Sequence, residues 1–535
     1  MEKRMEKRKN ISDGRIMQGE WIYPSLIVIL GFCYYLSYIN YGIRLSDEGF
    51  FVYGAERTLQ GQLPMSDFFS YSPGSYFLLA LLFKTFGVNL LISRLMEVFF
   101  LLANGLMMFY IGKRSMPKSW ALIPSFILVA FPGPWYKVFF VFGLLLPLCT
   151  LINYLEKRTV SRILLVGWAT GIALIFKIEP ALYSSLMTWM VLFGAHILKE
   201  GSFHLTKERA FDFLKDMLLW SLALMSLLLP FLIYYYSKSA LGNLFLYLVE
   251  TYGFTNVEGV GEFFENPSFL KAFTRFHFGS LHNQFFFIIL FLYIYMLLKL
   301  FFHFFIRKRN DLFLLFPVVI MGILSLSYAY ISFSKSYFQQ VAAPAYILLG
   351  YILYSTSKAR SMKARVWFFV IILLSSVYLL DSLKLDLHSP SSINTLVEAR
   401  KEGVGLLLSK KARVYVRKNQ LVTINGLIDF FRGKDGSLMP FYYDPMVNFL
   451  TGLENPTKYS ILSPSYLRTT GRQEQVIEEM ERYKVKYLLI RQPMWVSQDS
   501  RLGVSKYAPI LYKFVLRQYE LEKEIGGYLI FSRLK

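Results

Sequence analysis

Three carboxylates stand just beyond the first apolar run of the chain, in "RLSDEGFFVYGAERTLQGQLPMSDFFSYSPG" (44–74): Asp47 and Glu48 side by side, and Asp67 after Pro64. A carboxylate set against a hydroxyl takes up its proton, and a nearby Lys or Arg neutralises an anionic leaving group. Neither kind of ion is stable in hydrocarbon, so a site built from them belongs at a membrane boundary. Candidate cations occupy such boundaries elsewhere. Lys177 ends an apolar run in "GWATGIALIFKIEP", Arg94 lies just inside another in "LLISRLMEV", and Lys335 sits in the polar "SFSKSYFQQ" with Tyr337 and Gln339 beside it. Each residue also has a plainer use. Asp47 and Glu48 suit the first turn of a helix from Ser46 to Gly61. Asp67 suits a turn, Tyr71 an interfacial anchor, Lys177 a pair with Glu179, and Arg94 a pair with Glu97 one helical turn away. Neighbours on a helix do not share a face, so Asp47 and Glu48 are expected to do different jobs.

The elements that must position these residues are membrane spans. The chain has 535 residues, 55% hydrophobic and 18% aromatic, with a mean hydropathy of +0.40. Continuous apolar runs near the ~20 residues needed to cross hydrocarbon as helix recur along most of it. Eleven spans are expected: 21–39, 90–111, 119–133, 136–155, 162–178, 180–198, 214–236, 283–306, 311–331, 338–356 and 366–382. The first run has no small-residue cleavage site after it and is read as a span rather than a signal peptide. The stretch 73–87 is apolar but short, opens on Pro-Gly and carries Lys84. If it lies at the surface, the basic segments "MEKRMEKRK", "GKRSMPKS", "EKRTVSR", "KEGSFHLTKERAFDFLK", "RKRND" and "SKARSMKAR" all fall on one side. The positive-inside rule then puts the N-terminus in the cytoplasm. The loops 40–89 and 237–282 and the tail 383–535 face outward.

The formal net charge of +22 is scattered among short loops, which argues for membrane topology and against nucleic acid. The two cysteines, Cys33 and Cys149, lie inside apolar runs and build neither a disulfide framework nor a metal site. The tail is far more polar and reads as a separate soluble α/β domain. In it "QEQVIEEMERYKVKYLLIR" is a helix followed by a strand, and "YELEKEIGGYLIFSRLK" is two strands around Gly526-Gly527.

The order of motifs resembles a known family. A first span, an external loop with Asp47-Glu48, then "GQLPMSDFF", "SPGSYFLLALLFKTFG" and "ISRL" is similar to the GT-C glycosyltransferases, in the branch of protein O-mannosyltransferases and the lipid A aminoarabinose transferase. "GWATGIALIFK", "SKSYFQQVAAPAYILLG" and the tail phrase "DPMVNFLTGLENPTKY" extend the match over most of the chain. The resemblance implies a polytopic helical GT-C fold of about 11 transmembrane helices over 1–382, followed by an extracytoplasmic α/β domain over 383–535. It implies a polyprenyl-phosphate sugar donor, an acceptor hydroxyl on a lipid, glycan or protein, and inversion at the anomeric carbon. The setting it implies is a multi-pass protein of the bacterial inner membrane.

By this match Asp47 is the catalytic base, with Glu48 beside it in the site. Lys177, Arg94 and Lys335 are candidates for the donor phosphate, and Asp67, Tyr71, Tyr337 and Gln339 for substrate. Where the family carries a basic residue in His-Pro-Pro or Lys-Pro, this chain has Tyr71 and Ser72 in "YSPG". No cofactor is expected to be required, although a divalent metal is not excluded by the residues alone. Two other readings stand beside this one: a transporter or flippase of lipid-linked glycans, and a GT-C-like protein that binds lipid without catalysis. The first calls for midspan charges and two matched halves, and Glu97 is the nearest case of such a charge.

Overall fold

The computed structural model describes residues 21–131, 133, 135–199, 202–203, 206–252, 281–306, 312–331, 340–358, 397, 400–401, 403–441, 443–462, 466–467, 469–496 and 503–534. Ten of the eleven expected spans are helices; the eleventh, 366–382, lies outside the described residues, as does most of the loop 237–282. The helices that matter for the site are α1 (Trp21–Leu36), α2 (Asp47–Leu59), α3 (Pro73–Phe86), α4 (Leu90–Gly112), α5 (Lys118–Ala130), α6 (Val138–Glu156), α7 (Val160–Phe176), α8 (Ile178–Ile197) and α9 (Lys207–Ser237). By length and composition α4, α6, α9 and the stretch Ile288–Ile306 are long and apolar enough to cross a membrane, and several shorter apolar helices accompany them.

α4, α6, α7 and α8 pack on one another, and α9 lies along α7. The α7–α9 contact is close because Gly167 and Gly171 share a face of α7. A Cβ on Gly167 would sit 2.4 Å from the Trp220 carbonyl oxygen, and one on Gly171 2.9 Å from Leu227. Small residues four apart bring helix backbones together where no hydrophobic force drives association.

The stretch 73–87 forms α3, whose 14 residues span about 21 Å, short of the hydrocarbon thickness. It packs against α2, α4 and α7. Its Phe83 stacks on Phe449 of the tail at 6.4 Å, so α3 lies between the bundle and the tail.

The tail pairs a hairpin with a sheet. Numbering after the short hairpin β1 (Leu198–Lys199) and β2 (Ser202–Phe203), β3 (Val404–Leu408) runs antiparallel to β4 (Arg413–Arg417). A four-stranded sheet follows in the order β5 (Leu438–Phe441), β6 (Tyr487–Arg491), β8 (Tyr528–Arg533), β7 (Tyr519–Ile525). β5 and β6 are parallel and the rest antiparallel. The helix before β6 and the β7–β8 turn through Gly526-Gly527 stand where the sequence pattern predicts.

Met439, Leu488, Ile490, Leu511 and Phe531 form an apolar core within the tail. Leu407, Val414, Val416, Met446 and Phe449 instead join the large core of the membrane helices. One part of the tail thus has its own core, and another part packs into the core of the bundle.

Candidate active site

Asp47 is the first residue of α2, and its carboxylate meets two side chains from outside that helix. Oδ2 lies 3.3 Å from Arg44 Nε, and Oδ1 accepts a hydrogen bond of 2.5 Å from the hydroxyl of Tyr443, 396 residues away. Burial, with Tyr71 and Asp47 nearby, holds the Tyr443 phenol well above its ordinary pKa, so it remains a donor. Its oxygen is also 3.4 Å from the Tyr71 hydroxyl. The Tyr71 ring in turn faces Lys177, whose Nζ lies 5.0 Å from the ring centroid and 3.1 Å from Glu179 Oε1.

Tyr443 is held from behind. It is followed by Asp444, a buried carboxylate that takes the Arg491 guanidinium of β6 on both oxygens and the Tyr528 hydroxyl of β8 at 3.3 Å. Two residues further on, the Met446 amide donates to the Leu45 carbonyl at 3.1 Å. Sheet and loop together fix the segment that carries the phenol.

A second lysine completes the cluster. Lys137 ends a short turn, Trp135–Lys137, that feeds α6. Burial lowers its pKa to about 8; Asp47 pushes it back up, while Lys177 and Arg44 push it down. Arg44 thus pairs with Asp47, Lys137 lies within the field of Asp47, Arg44 and Lys177, and Lys177 itself pairs with Glu179. Beside the cluster, Ser72 Oγ and Glu179 Oε2 are buried with no hydrogen-bond partner among the described residues. Orphaned buried polar atoms of this kind mark places where a ligand or water belongs.

Glu48 and Arg94 are drawn elsewhere. Glu48 Oε1 accepts from Arg94 Nε at 2.8 Å, and Oε2 from the Arg44 amide at 3.0 Å. The other guanidinium nitrogens of Arg94 donate to the carbonyls of Ile39 at 2.6 Å and Gly42 at 2.7 Å. Arg94 thus pairs with Glu48 rather than with Glu97, and ties α4 to the strap of chain that leads into α2. Each of its three nitrogens has a protein acceptor. Asp67 closes a local turn, accepting from the Leu63 amide at 2.7 Å and from Ser66 Oγ at 3.3 Å. Lys335, Tyr337 and Gln339 lie outside the described residues.

The structure therefore brings together Asp47, Tyr71 and Lys177 of the expected residues, and adds Arg44, Lys137 and Tyr443. Lys137 carries a readable signal, a lone lysine between "PGPWY" and an apolar run. Arg44 is one helical turn before Asp47. Tyr443 has no local signal. Among the described residues no three His, Cys, Asp or Glu groups gather to hold an ion.

Solved structures share this architecture. The apo oligosaccharyltransferase of Archaeoglobus fulgidus matches with a TM-score of 0.54 at 11% identity, covering 96% of this chain and 74% of that one. The same protein in complex with Zn and sulfate gives 0.53 at 13%, covering 93% and 70%. ArnT from Cupriavidus metallidurans in the apo state gives 0.50 at 10%, covering 97% of this chain and 98% of that one. No protein-family model and no curated protein matches the sequence. With so little identity and nearly the whole chain aligned, what is shared is the path of the backbone: this is a polytopic helical membrane protein with a C-terminal domain, and it has the GT-C fold.

Proposed function

We propose that this chain is a membrane-embedded inverting glycosyltransferase that moves a sugar from a polyprenyl-phosphate donor to an acceptor hydroxyl at the extracytoplasmic face. The observation that carries the reading is Asp47, paired with Arg44 and Tyr443 and close to Lys137, with the Lys177–Glu179 pair beyond Tyr71, where the tail closes on the bundle. A base that takes a proton and cations that receive a phosphate are the two halves of such a transfer.

The steps balance as a single displacement. The acceptor oxygen attacks the anomeric carbon, and Asp47 takes the hydroxyl proton. The bond from that carbon to the phosphate oxygen breaks on the opposite face, which inverts the centre. The polyprenyl phosphate leaves with the electron pair, and Lys177 and Lys137 neutralise its charge. Lys177, set against Tyr71, supplies the cation that "YSPG" itself lacks. Glu48 keeps the Arg94 pair and holds the loop in place. A bundle boundary lets the lipid tail lie between helices while the sugar stays in water.

Lipid extracted from the purified protein should contain a polyprenyl-phosphate sugar detectable by mass spectrometry. Asp47→Asn keeps shape and loses the basic lone pair, so release of polyprenyl phosphate should fall by about 10²–10⁴-fold with donor lipid still bound. Asn serves a helix start about as well as Asp, so a variant within threefold of the parent would remove the catalytic assignment.

A further inference from the structure

The end of the bundle opposite Asp47 holds a cavity of about 410 Å³. It lies where α6 ends, α7 begins, α8 ends and α9 begins. Its cations come from two directions, Arg158 from the α6–α7 connection and Arg209 and Lys215 from α9. Asp216 on its wall is already engaged: it accepts from the Tyr154 hydroxyl and lies 2.8 Å from His196 Nε2. Arg158 is steadied at the rim by one bond, from Nη2 to the Ala195 carbonyl at 2.9 Å. Lys215 is exposed and has no partner among the described residues. The other lining carboxylate, Asp212, is exposed.

The surroundings of this cavity are apolar. Only 6% of the apolar stretch of α9 is buried inside the protein, so most of that helix faces outward. Phe211, Leu214 and Leu218 are largely exposed. Their spacing of three and four puts them on one face of α9, next to the face that carries Lys215 and Asp216 into the cavity. A polar cavity with cations, roomy enough for a headgroup and continuous with an apolar stripe at the end of a lipid-facing helix, matches an amphiphile. A free anion has no use for the stripe.

We propose that this cavity binds the phosphodiester headgroup of an anionic phospholipid, with Arg158, Arg209 and Lys215 on the phosphate and an acyl chain along Phe211, Leu214 and Leu218. Cation clusters between helices on the basic side of a membrane protein recognise anionic headgroups in this way. The inference concerns the face away from Asp47 and does not depend on the chemistry there.

The test is native mass spectrometry of the full-length protein equilibrated in detergent with phosphatidylglycerol or phosphatidylcholine. The expected result is one retained phosphatidylglycerol, at least tenfold over phosphatidylcholine. Arg158→Gln with Lys215→Gln should reduce retention about tenfold. Should that pair impair folding, Lys215→Gln alone, at an exposed position, should reduce it severalfold. Displacement of the lipid by millimolar inorganic phosphate would identify a free-anion site and overturn the proposal. Equal retention of the two lipids, or undiminished phosphatidylglycerol in folded variants, would overturn it as well.

Discussion

Tyr443 stands where the substrate of a base would stand. Its hydroxyl donates to Asp47 Oδ1 at 2.5 Å, in the place an acceptor O–H takes before attack. Under the proposed reaction the phenol must give way to the acceptor. Tyr443→Phe keeps the ring against Phe50 and removes only the competitor. The acceptor KM should fall by about tenfold, the worth of a modest hydrogen bond to a charged group, with turnover little changed. Lower turnover at constant KM would make Tyr443 an orienting residue instead. Lys137 sets the pH dependence. With a pKa near 8 it is charged below that pH and neutral above it. A phosphate held by the cation binds more weakly as pH rises through this value, so the donor KM should climb on the alkaline side. Lys137→Arg stays charged up to about pH 12 and should flatten that limb; Lys137→Met should raise the donor KM throughout. Measuring donor KM from about pH 6.5 to 9.5 separates these cases. Lys177 is legible in the sequence as a lone lysine at the outer end of an apolar run; Lys137 carries a similar signal but falls inside the expected span 136–155. Tyr443 is not legible, because no spacing within a segment encodes a contact across 396 residues.

α2 is the element on which the site turns, and its partners decide what each acid does. Glu48 and Arg94 form a buried ion pair with Glu48 only 4% exposed. Glu48→Gln leaves the Arg94 cation buried without its counter-charge, and breaking such a pair costs about 3–5 kcal/mol. The variant should lose thermal stability far more than Asp47→Asn does, which a melting curve of the two purified proteins decides. The helical spacing of the sequence already separates the two acids; their separate partners, Tyr443 for one and Arg94 for the other, lie too far along the chain to be read. Gly49 is the other constraint on α2. A Cβ there would lie 2.3 Å from the Met446 amide nitrogen, and backbone cannot step aside as a side-chain tip can. Gly49→Ala should lever the helix that starts at Met446 off α2, cost about 1–3 kcal/mol, and open the tail to protease. That α3 is too short to cross is readable from its 14 residues. That it stacks on the tail through Phe83 is not, since an exposed Phe and a buried one look alike in sequence.

At the scale of the molecule, tail and first loop behave as one body. Arg57 of α2 is buried and donates to the Thr457 carbonyl at 3.1 Å and to Ser460 Oγ at 3.3 Å. The Phe69 amide donates to the Lys458 carbonyl, and the Tyr415 amide to the Asn40 carbonyl. At the other end of the bundle the basic loops meet: Arg114 and Glu156 pair at 2.7 Å, and Arg158 reaches the Ala195 carbonyl. The described basic segments from 112 to 215 thus gather away from Asp47, Lys137 and Lys177. In the topology we propose, the positive-inside rule puts the crowded basic end in the cytoplasm, and so Asp47 and the tail on the far side. With Cys33 and Cys149 replaced by Ser, single cysteines at Gln60→Cys, Asp429→Cys and Lys157→Cys, all exposed positions, report each end. An impermeant maleimide on intact cells should label the first two and reach the third only after permeabilisation. Labelling of Lys157→Cys with protection of Gln60→Cys would invert the protein in its membrane. Labelling of Gln60→Cys with protection of Asp429→Cys would part the tail from the first loop, which the Arg57–Thr457 bond cannot survive, and would take Tyr443 away from Asp47 with it.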